Sequence, residues 1–324
     1  MRDQFGRDID YLRISVTDRC NLRCIYCMPE GQVSFLEEKE RLSCQEMVEI
    51  VRILAGLGVK HVRVTGGEPL LFPDCIPLIR QINKIPEIET VSITTNGTYL
   101  KELAGDLVSA GIAGVNVSLD TLDAIKYQRI TRGGNVKDVL EGLETIMSYP
   151  RITVKTNTVL LGQGCERDVR DLARLARDHR IAVRYIEQMP IGQLRSERGL
   201  SQAQAIEILE SAYGPLRKME DRSAQGFGPS IYYRADHFLG SIGFISAISH
   251  KFCQSCNRIR LTADGRLRNC LQSSQMIDLK RLLRQGDSLE ELREVIREAV
   301  WQKPRGHHFE TMSIRADGMS QIGG

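Results

Sequence analysis

From residue 12 to residue 189 the chain alternates short β-rich runs with stretches of helical hydrophobic spacing. The runs predict strands over 12–16, 61–65, 91–95, 114–119, 153–160 and 183–187. Between the first two, Met47, Ile50, Val51, Leu54 and Leu57 recur on one helical face, and Ser43 with Glu46 forms a capping box at its start. Leu100, Leu103, Leu107 and Val108 make a second such face, and Val169, Leu172, Leu175 and Ala176 a third. Strand–helix alternation of this length predicts parallel βα units. Six units suit an incomplete (β/α) barrel or an open doubly wound sheet, and periodicity alone does not choose between them.

Polar residues gather where the strands end. These ends read Thr17-Asp18-Arg19-Cys20, Gly66-Gly67-Glu68-Pro69, Thr94-Thr95-Asn96-Gly97, Ser118-Leu119-Asp120 and Gln188-Met189-Pro190. In a barrel they converge on the rim that carries the working residues. The pattern stops near Pro190. A linker over 192–199 follows, then a helix over 201–213, a turn-rich break at Gly226-Phe227-Gly228-Pro229, and a helix with Leu289, Leu292, Val295, Ile296 and Ala299 on its apolar face. The expected division is therefore 1–200 as the barrel and 201–324 as a smaller region packed against it.

The chain has 324 residues, 42% of them hydrophobic, and a formal charge of +3, too mild to argue for nucleic acid. No apolar run approaches the length of a membrane span. The nine cysteines are odd in number and lack disulfide-rich spacing, which points to a reducing, cytoplasmic setting. Cys44, Cys75 and Cys165 stand alone and read as small buried apolar residues. The other six form two triads, Cys20-x3-Cys24-x2-Cys27 and Cys253-x2-Cys256-x13-Cys270. Thiolates hold iron–sulfur clusters or zinc, yet each triad has three ligands where a closed site needs four. A three-thiolate cube leaves one iron open to a non-protein ligand.

The gap in the second triad has its own logic. Arg258-Ile259-Arg260-Leu261-Thr262 alternates as a strand, and Asp264-Gly265 predicts a hairpin turn. Folding back there sets Cys270 opposite Ile259, about three residues or ~10 Å along the strand from Cys256. Arg258 and Arg260 share a face and suit a bound phosphate, the alternative being two solvated arginines on an edge strand.

The run Cys20-Asn-Leu-Arg-Cys24-Ile-Tyr-Cys27, with Gly66-Gly67-Glu68-Pro69 at a strand end, resembles the signature of radical S-adenosylmethionine (SAM) enzymes. Phe5-Gly6-Arg7, the run from Leu12 to Cys20, the second triad with Asn257-Arg258-Ile259-Arg260, and the terminal Gly323-Gly324 extend the likeness nearly end to end. The family it resembles is the GTP 3′,8-cyclases of molybdenum cofactor biosynthesis. That resemblance implies an incomplete (β/α)6 TIM-like barrel closed by a C-terminal region, and two 4Fe–4S clusters with three cysteines each. Cys20, Cys24 and Cys27 would hold the cluster that binds SAM, whose one-electron cleavage yields methionine and a 5′-deoxyadenosyl radical. The radical would take the ribose C3′ hydrogen of GTP, and C3′ would close onto guanine C8 to give (8S)-3′,8-cyclo-7,8-dihydroguanosine 5′-triphosphate. Cys253, Cys256 and Cys270 would hold a second cluster contacting the guanine.

Residue by residue, the resemblance implies SAM contacts from Tyr26, Gly67, Ser118 and Met189. It implies GTP contacts from Arg13, Arg63, Thr94, Lys155, Arg258 and Arg260, and catalytic roles for Arg13, Gly323 and Gly324. Each has a plain alternative: Gly67 serving only its turn, Ser118 capping a helix, Met189 filling core, and Arg63 or Lys155 bridging a carboxylate. Residues appended after Gly324 would then abolish cyclisation. The implied partners are GTP, an external electron donor and a downstream cyclic pyranopterin monophosphate synthase. A homodimer is left open, and neither nucleic acid nor membrane is expected.

Two rival readings remain. A different radical SAM enzyme with an auxiliary cluster, acting on a peptide or another small molecule, would not need the arginine pair. A zinc-ribbon-like nucleic-acid module, with His250 as fourth ligand, fits poorly with 6% aromatic residues and near-balanced charge.

Overall fold

The computed structural model describes residues 1–31, 33–162, 164–191, 199–220, 226–273 and 275–309. The six predicted strands all form, within a residue at each end: β1 (Tyr11–Ser15), β2 (His61–Thr65), β3 (Thr90–Thr95), β4 (Gly114–Ser118), β5 (Thr153–Leu160) and β6 (Ala182–Glu187). Helices α1 (Cys44–Gly56), α2 (Cys75–Ile82) and α3 (Leu100–Ser109) connect the first four, α4 (Ala124–Thr131) and α5 (Val136–Met147) lie between β4 and β5, and α6 (Glu166–Asp178) leads to β6. The capping box opens α1, with Glu46 N donating to Ser43 Oγ at 3.2 Å and Ser43 N to the Glu46 carboxylate at 2.7 Å. Met47, Ile50, Val51 and Leu54 are buried beneath it, as their spacing requires.

The region after β6 comprises α7 (Gln202–Tyr213), β7 (Arg217–Lys218), β8 (Ile231–Arg234), β9 (Ser241–Ile245), β10 (Arg258–Leu261), β11 (Arg266–Arg268), β12 (Ile277–Asp278), α8 (Leu279–Gln285) and α9 (Leu289–Trp301). Its strands extend the barrel's own sheet from both sides, in the order β12-β11-β10-β1-β2-β3-β4-β5-β6-β9-β8-β7. Strand β10 pairs parallel with β1, and β9 parallel with β6. Side chains from all eight parallel strands line one cavity of about 350 Å³. A flat doubly wound sheet cannot bring its two edges to one space, so the sheet is rolled: an incomplete barrel whose open seam is flanked by β9 and β10.

Three expectations need correction. Leu289 sits in the first turn of α9 and is exposed; Leu292, Ile296, Ala299 and Val300 form the buried stripe instead. The β10–β11 hairpin turns through three residues, not two. Gly265 adopts φ +83°, the left-handed conformation that accommodates the additional residue, and Arg260 pairs with Arg268. Continuing that register sets Cys270 level with Arg258 rather than Ile259. Finally, β10 is no edge strand, since it lies between β1 and β11, and Arg260 is buried. The linker read over 192–199 lies almost wholly outside the described residues, as do Gly323 and Gly324. No helix among the described residues is long and apolar enough to cross a membrane.

Candidate functional site

Strand parity builds the site. In β1 Leu12 and Ile14 are fully buried in the outer packing while Tyr11 and Arg13 face the cavity; in β2 Val62 and Val64 pack outward while Arg63 and Thr65 face in. Register then stacks the cations. Arg63, Arg13 and Arg260 are direct partners across β2, β1 and β10, three guanidinium-bearing positions on adjacent strands about 4.8 Å apart. Like charges placed directly opposite oppose pairing, so such a row calls for an anion. Lys155 on β5 and Arg258 at the start of β10 line the same space, with Thr94 on β3.

Among the described residues no carboxylate pairs with Arg63. Its Nε donates to the Tyr11 hydroxyl and its guanidinium lies 5.8 Å from that ring's centre. Arg258 lies 4.9 Å over the Phe252 ring. Burial pushes Arg13 well below its ordinary range, and Arg260, Arg63 and Arg258 push it further. Burial, then Arg184 and Arg63, bring Lys155 down to about 7. Burial and Arg258 bring Arg260 to about 10. A polyanion would relieve all of these shifts together.

The first triad follows the C-terminal end of β1. Cys27 N and Met28 N both donate to Cys24 O, at 2.9 and 3.0 Å, which tightens the turn around the thiols. Arg23 N and Ile25 N donate to Thr131 O and Ile130 O, tying the loop to the end of α4. Asn96 Nδ2 reaches Cys20 Sγ at 3.7 Å. Glu68 locks the neighbouring strand ends: its carboxylate accepts from Thr95 Oγ1 and Asn96 N, both at 2.7 Å, and burial pushes it up to about 7 against those bonds. Tyr26 donates to Asp120 at 2.7 Å, and burial holds Asp120 at about 6. Gly67 serves its own turn first. A Cβ there would run into the Arg19 carbonyl and lie 2.7 Å from Asp18 O. Ser118 and Met189 line the cavity beside Gly67, Ser118 without capping a helix.

The second triad lies at the opposite end. Arg258 pairs with Tyr11 at the N-terminal end of β1, Cys256 precedes β10, and Cys270 follows the antiparallel β11. The two triads therefore bracket a five-residue strand, roughly 16 Å long at about 3.3 Å per residue, with the cation row between them. Burial pushes the Cys256 thiol up, but Lys303 and Arg258 outweigh it and leave the thiol at about 7. Cys44, Cys75 and Cys165 are buried apart from the cavity. His250 is exposed, sits 3.0 Å from Ser249 Oγ and does not line the cavity.

All six triad thiols line this one cavity, and none of the nine cysteines is in a disulfide. The thiols ring a space rather than a point: among the described residues no group of three or more His, Cys, Asp or Glu side chains is set to hold a single metal ion. Three soft ligands per end, in loops with room beside them, fit the donor set of an iron–sulfur cube.

Several cavity residues were not singled out from the sequence. Arg184 on β6 faces in between buried Val183 and Tyr185, and Asn116 and Asn157 do the same on β4 and β5. The parity that marks Arg13 and Arg63 would have found all three. Phe227 stacks on His61 with centroids 3.4 Å apart, bringing the Gly226–Pro229 break into the cavity wall. Lys303 and His307 also line it, from a stretch with no periodic signal.

Comparison with known proteins fits this geometry. Residues 14–176 match the radical SAM superfamily model, and residues 181–309 match the model for Molybdenum Cofactor Synthesis C. The chain is 44% identical to the GTP 3′,8-cyclase of Heliobacterium modesticaldum and 44% identical to that of Pelotomaculum thermopropionicum, each over the whole of both chains. The SAM-bound crystal structure of Streptococcus suis SuiB shares the fold at a TM-score of 0.60 and 16% identity, over 90% of this chain and 68% of that one. Radical SAM membership implies SAM and a 4Fe–4S cluster. With the thiol triads, the rolled sheet and full-length identity of this order in agreement, the chain belongs to the GTP 3′,8-cyclase family of radical SAM enzymes.

Proposed function

We propose that this protein converts GTP to (8S)-3′,8-cyclo-7,8-dihydroguanosine 5′-triphosphate, the first step of molybdenum cofactor biosynthesis. The observation that carries the reading is the row Arg63–Arg13–Arg260, with Lys155, Arg184 and Arg258 around it, set between two three-thiol sites. Bound SAM and a cube on Cys20, Cys24 and Cys27 would supply the radical that removes the C3′ hydrogen. A second cube is assigned to Cys253, Cys256 and Cys270.

The protein's own part is binding and orientation. The guanidiniums and Lys155 hold the triphosphate by charge-assisted hydrogen bonds, in a buried setting where those bonds are strong. Thr94 offers a hydroxyl to the same ligand. Tyr26, held by Asp120, together with Ser118 and Met189, forms the wall assigned to SAM, with Gly67 letting the Arg19 backbone close behind it. Holding the nucleotide between the two ends fixes C3′ against C8, so closure competes with other fates of the reactive carbon. The division into 1–200 and 201–324 belongs to this reading, with the second region supplying β9, β10 and the second triad.

The peptide-modifying alternative has no observation behind it, because the likeness to SuiB is one of fold and the cation row suits a polyanion. Nine cysteines without a disulfide suit a reducing compartment such as the cytoplasm. An external electron donor and a downstream cyclic pyranopterin monophosphate synthase complete the proposal. The test is anaerobic reconstitution with iron and sulfide, then incubation with SAM, a reductant and GTP, and mass spectrometry of the products. 5′-Deoxyadenosine together with an isomer of GTP is expected; 5′-deoxyadenosine with no GTP-derived product would refute the substrate.

A further inference from the structure

The Phe5-Gly6-Arg7 motif has no place in the reading above, yet Arg7 is among the most heavily engaged side chains in the protein. Residues 2 to 8 form a small hairpin, closed by the Arg2–Asp8 bridge and turned at Gly6, where φ is +78°. Buried Asp3 holds that turn: it accepts from Phe5 N at 2.9 Å and Arg7 N at 3.0 Å, and pairs with Arg7 Nε at 2.5 Å. The rest of the guanidinium collects backbone carbonyls of distant chain. Nη1 donates to Cys253 O at 2.8 Å and Arg305 O at 3.2 Å, and Nη2 to Pro304 O at 2.7 Å and Lys303 O at 3.5 Å.

Lys303, fixed in this way, is only 2% exposed. Its ammonium donates to Arg258 O at 2.8 Å and to Asn269 O. Arg258 is two residues after Cys256, and Asn269 immediately precedes Cys270. Each ligand of the second triad therefore has a carbonyl within two residues of it held by one of two buried cations, and those cations are joined through the Lys303 backbone. At the first triad Arg23 donates to Cys20 O and Arg132 to Met28 O, but both arginines are only half-buried, no side chain among the described contacts links them, and the loop is tied mainly by α4 carbonyls.

We propose that Arg7 and Lys303 are positioning residues of the second triad. They form a clamp that fixes the spacing of Cys253, Cys256 and Cys270 and sets two positive charges against whatever cluster these hold. The inference rests on assigning a second cluster to that triad. Hydrogen bonds and charge beside the ligands set both metal retention and potential, because they favour the more negative, reduced state.

The test compares Arg7→Gln, Arg7→Lys, Lys303→Met and Lys303→Arg with the parent enzyme, all reconstituted anaerobically. Iron loss to a chelator is followed for each cluster, and the second cluster's potential is titrated by electron paramagnetic resonance. A Cys24→Ala enzyme identifies which signal is the second cluster's. Lys303→Met and Arg7→Gln are expected to weaken iron retention at the second triad by about 10- to 100-fold, the usual effect of removing an outer-shell partner, with the first cluster unchanged. The potential is expected to fall in Lys303→Met and to recover in Lys303→Arg, which a purely structural role would not produce. Parent-like retention and potential in Lys303→Met would overturn the proposal, as would equal loss of both clusters with no recovery in Lys303→Arg. A parent enzyme that holds iron at the first triad only would sink the second-cluster assignment and the clamp with it.

Discussion

Arg184 offers the sharpest test of the anion reading, because its two effects have opposite signs. Its side chain is buried and faces the cavity, no carboxylate among the described residues pairs with it, and its Nε has no hydrogen-bond partner. Burial pulls its ionisation below the usual guanidinium range; Tyr232 opposes that and Arg63 adds to it. In the ligand-free protein this charge is a burden. Arg184→Met keeps the apolar stem and removes the desolvated charge, so the urea midpoint of the variant should hold or rise. With GTP bound the same charge becomes a charge-assisted donor to the triphosphate. Losing it removes about 1.5–3 kcal/mol, a loss of roughly 10- to 140-fold in affinity. Isothermal titration with GTP at two salt concentrations, beside urea denaturation, measures both effects. Because the site is enclosed, salt should change the ratio between variant and parent only slightly. An unchanged Kd for GTP in a folded Arg184→Met enzyme would refute the reasoning. Loss of stability with unchanged GTP affinity would make Arg184 a structural residue.

Four further outcomes follow from the same geometry. With Lys155 near 7, GTP binding above that pH must take up a proton; affinity should fall by at most about tenfold per pH unit, and titrations at pH 8 in buffers of different ionisation enthalpy should register the uptake, which Lys155→Arg abolishes. Since the unfolded lysine titrates near 10.5, the unfolded state binds more protons between these values, so the ligand-free fold should gain stability as pH rises from about 7 towards 10.5, checked by urea midpoints. Gly67→Ala drives a methyl into the Arg19 carbonyl and should cost about 1–3 kcal/mol, read as a lower melting temperature and reduced iron at the first triad. Cys253→Ser should still cleave SAM while losing the GTP-derived product; product at the parental rate would remove the second triad from the reaction.

Much of this protein is legible in local pattern. The six strands, the α1 capping box and the inward parity of Arg13 and Arg63 follow from periods of 2 and 3.6 residues, which any neighbour-to-neighbour reading detects. The spacing of Cys20, Cys24 and Cys27 is local in the same sense, since one loop holds all three. Arg184 is equally legible: it alternates with Val183 and Tyr185 just as Arg63 does with Val62 and Val64. The hairpin register erred by one residue, because Asp264-Gly265 signals a turn without saying whether Gly265 closes a two-residue or a three-residue loop.

What only tertiary structure decided is non-local. Strand alternation is the same in a doubly wound sheet and in a barrel; the choice rests on β10 pairing with β1 and β9 with β6, contacts between residues more than fifty positions apart. That pairing sets Arg260 beside Arg13 and sends the second triad to the end of the barrel opposite the first. Lys303 and Arg7 carry no periodic signal at all, because, Asp3 apart, the partners described for them are backbone carbonyls, and every residue supplies one. A carbonyl acceptor has no side-chain identity to read, so these contacts exist only once the chain has folded.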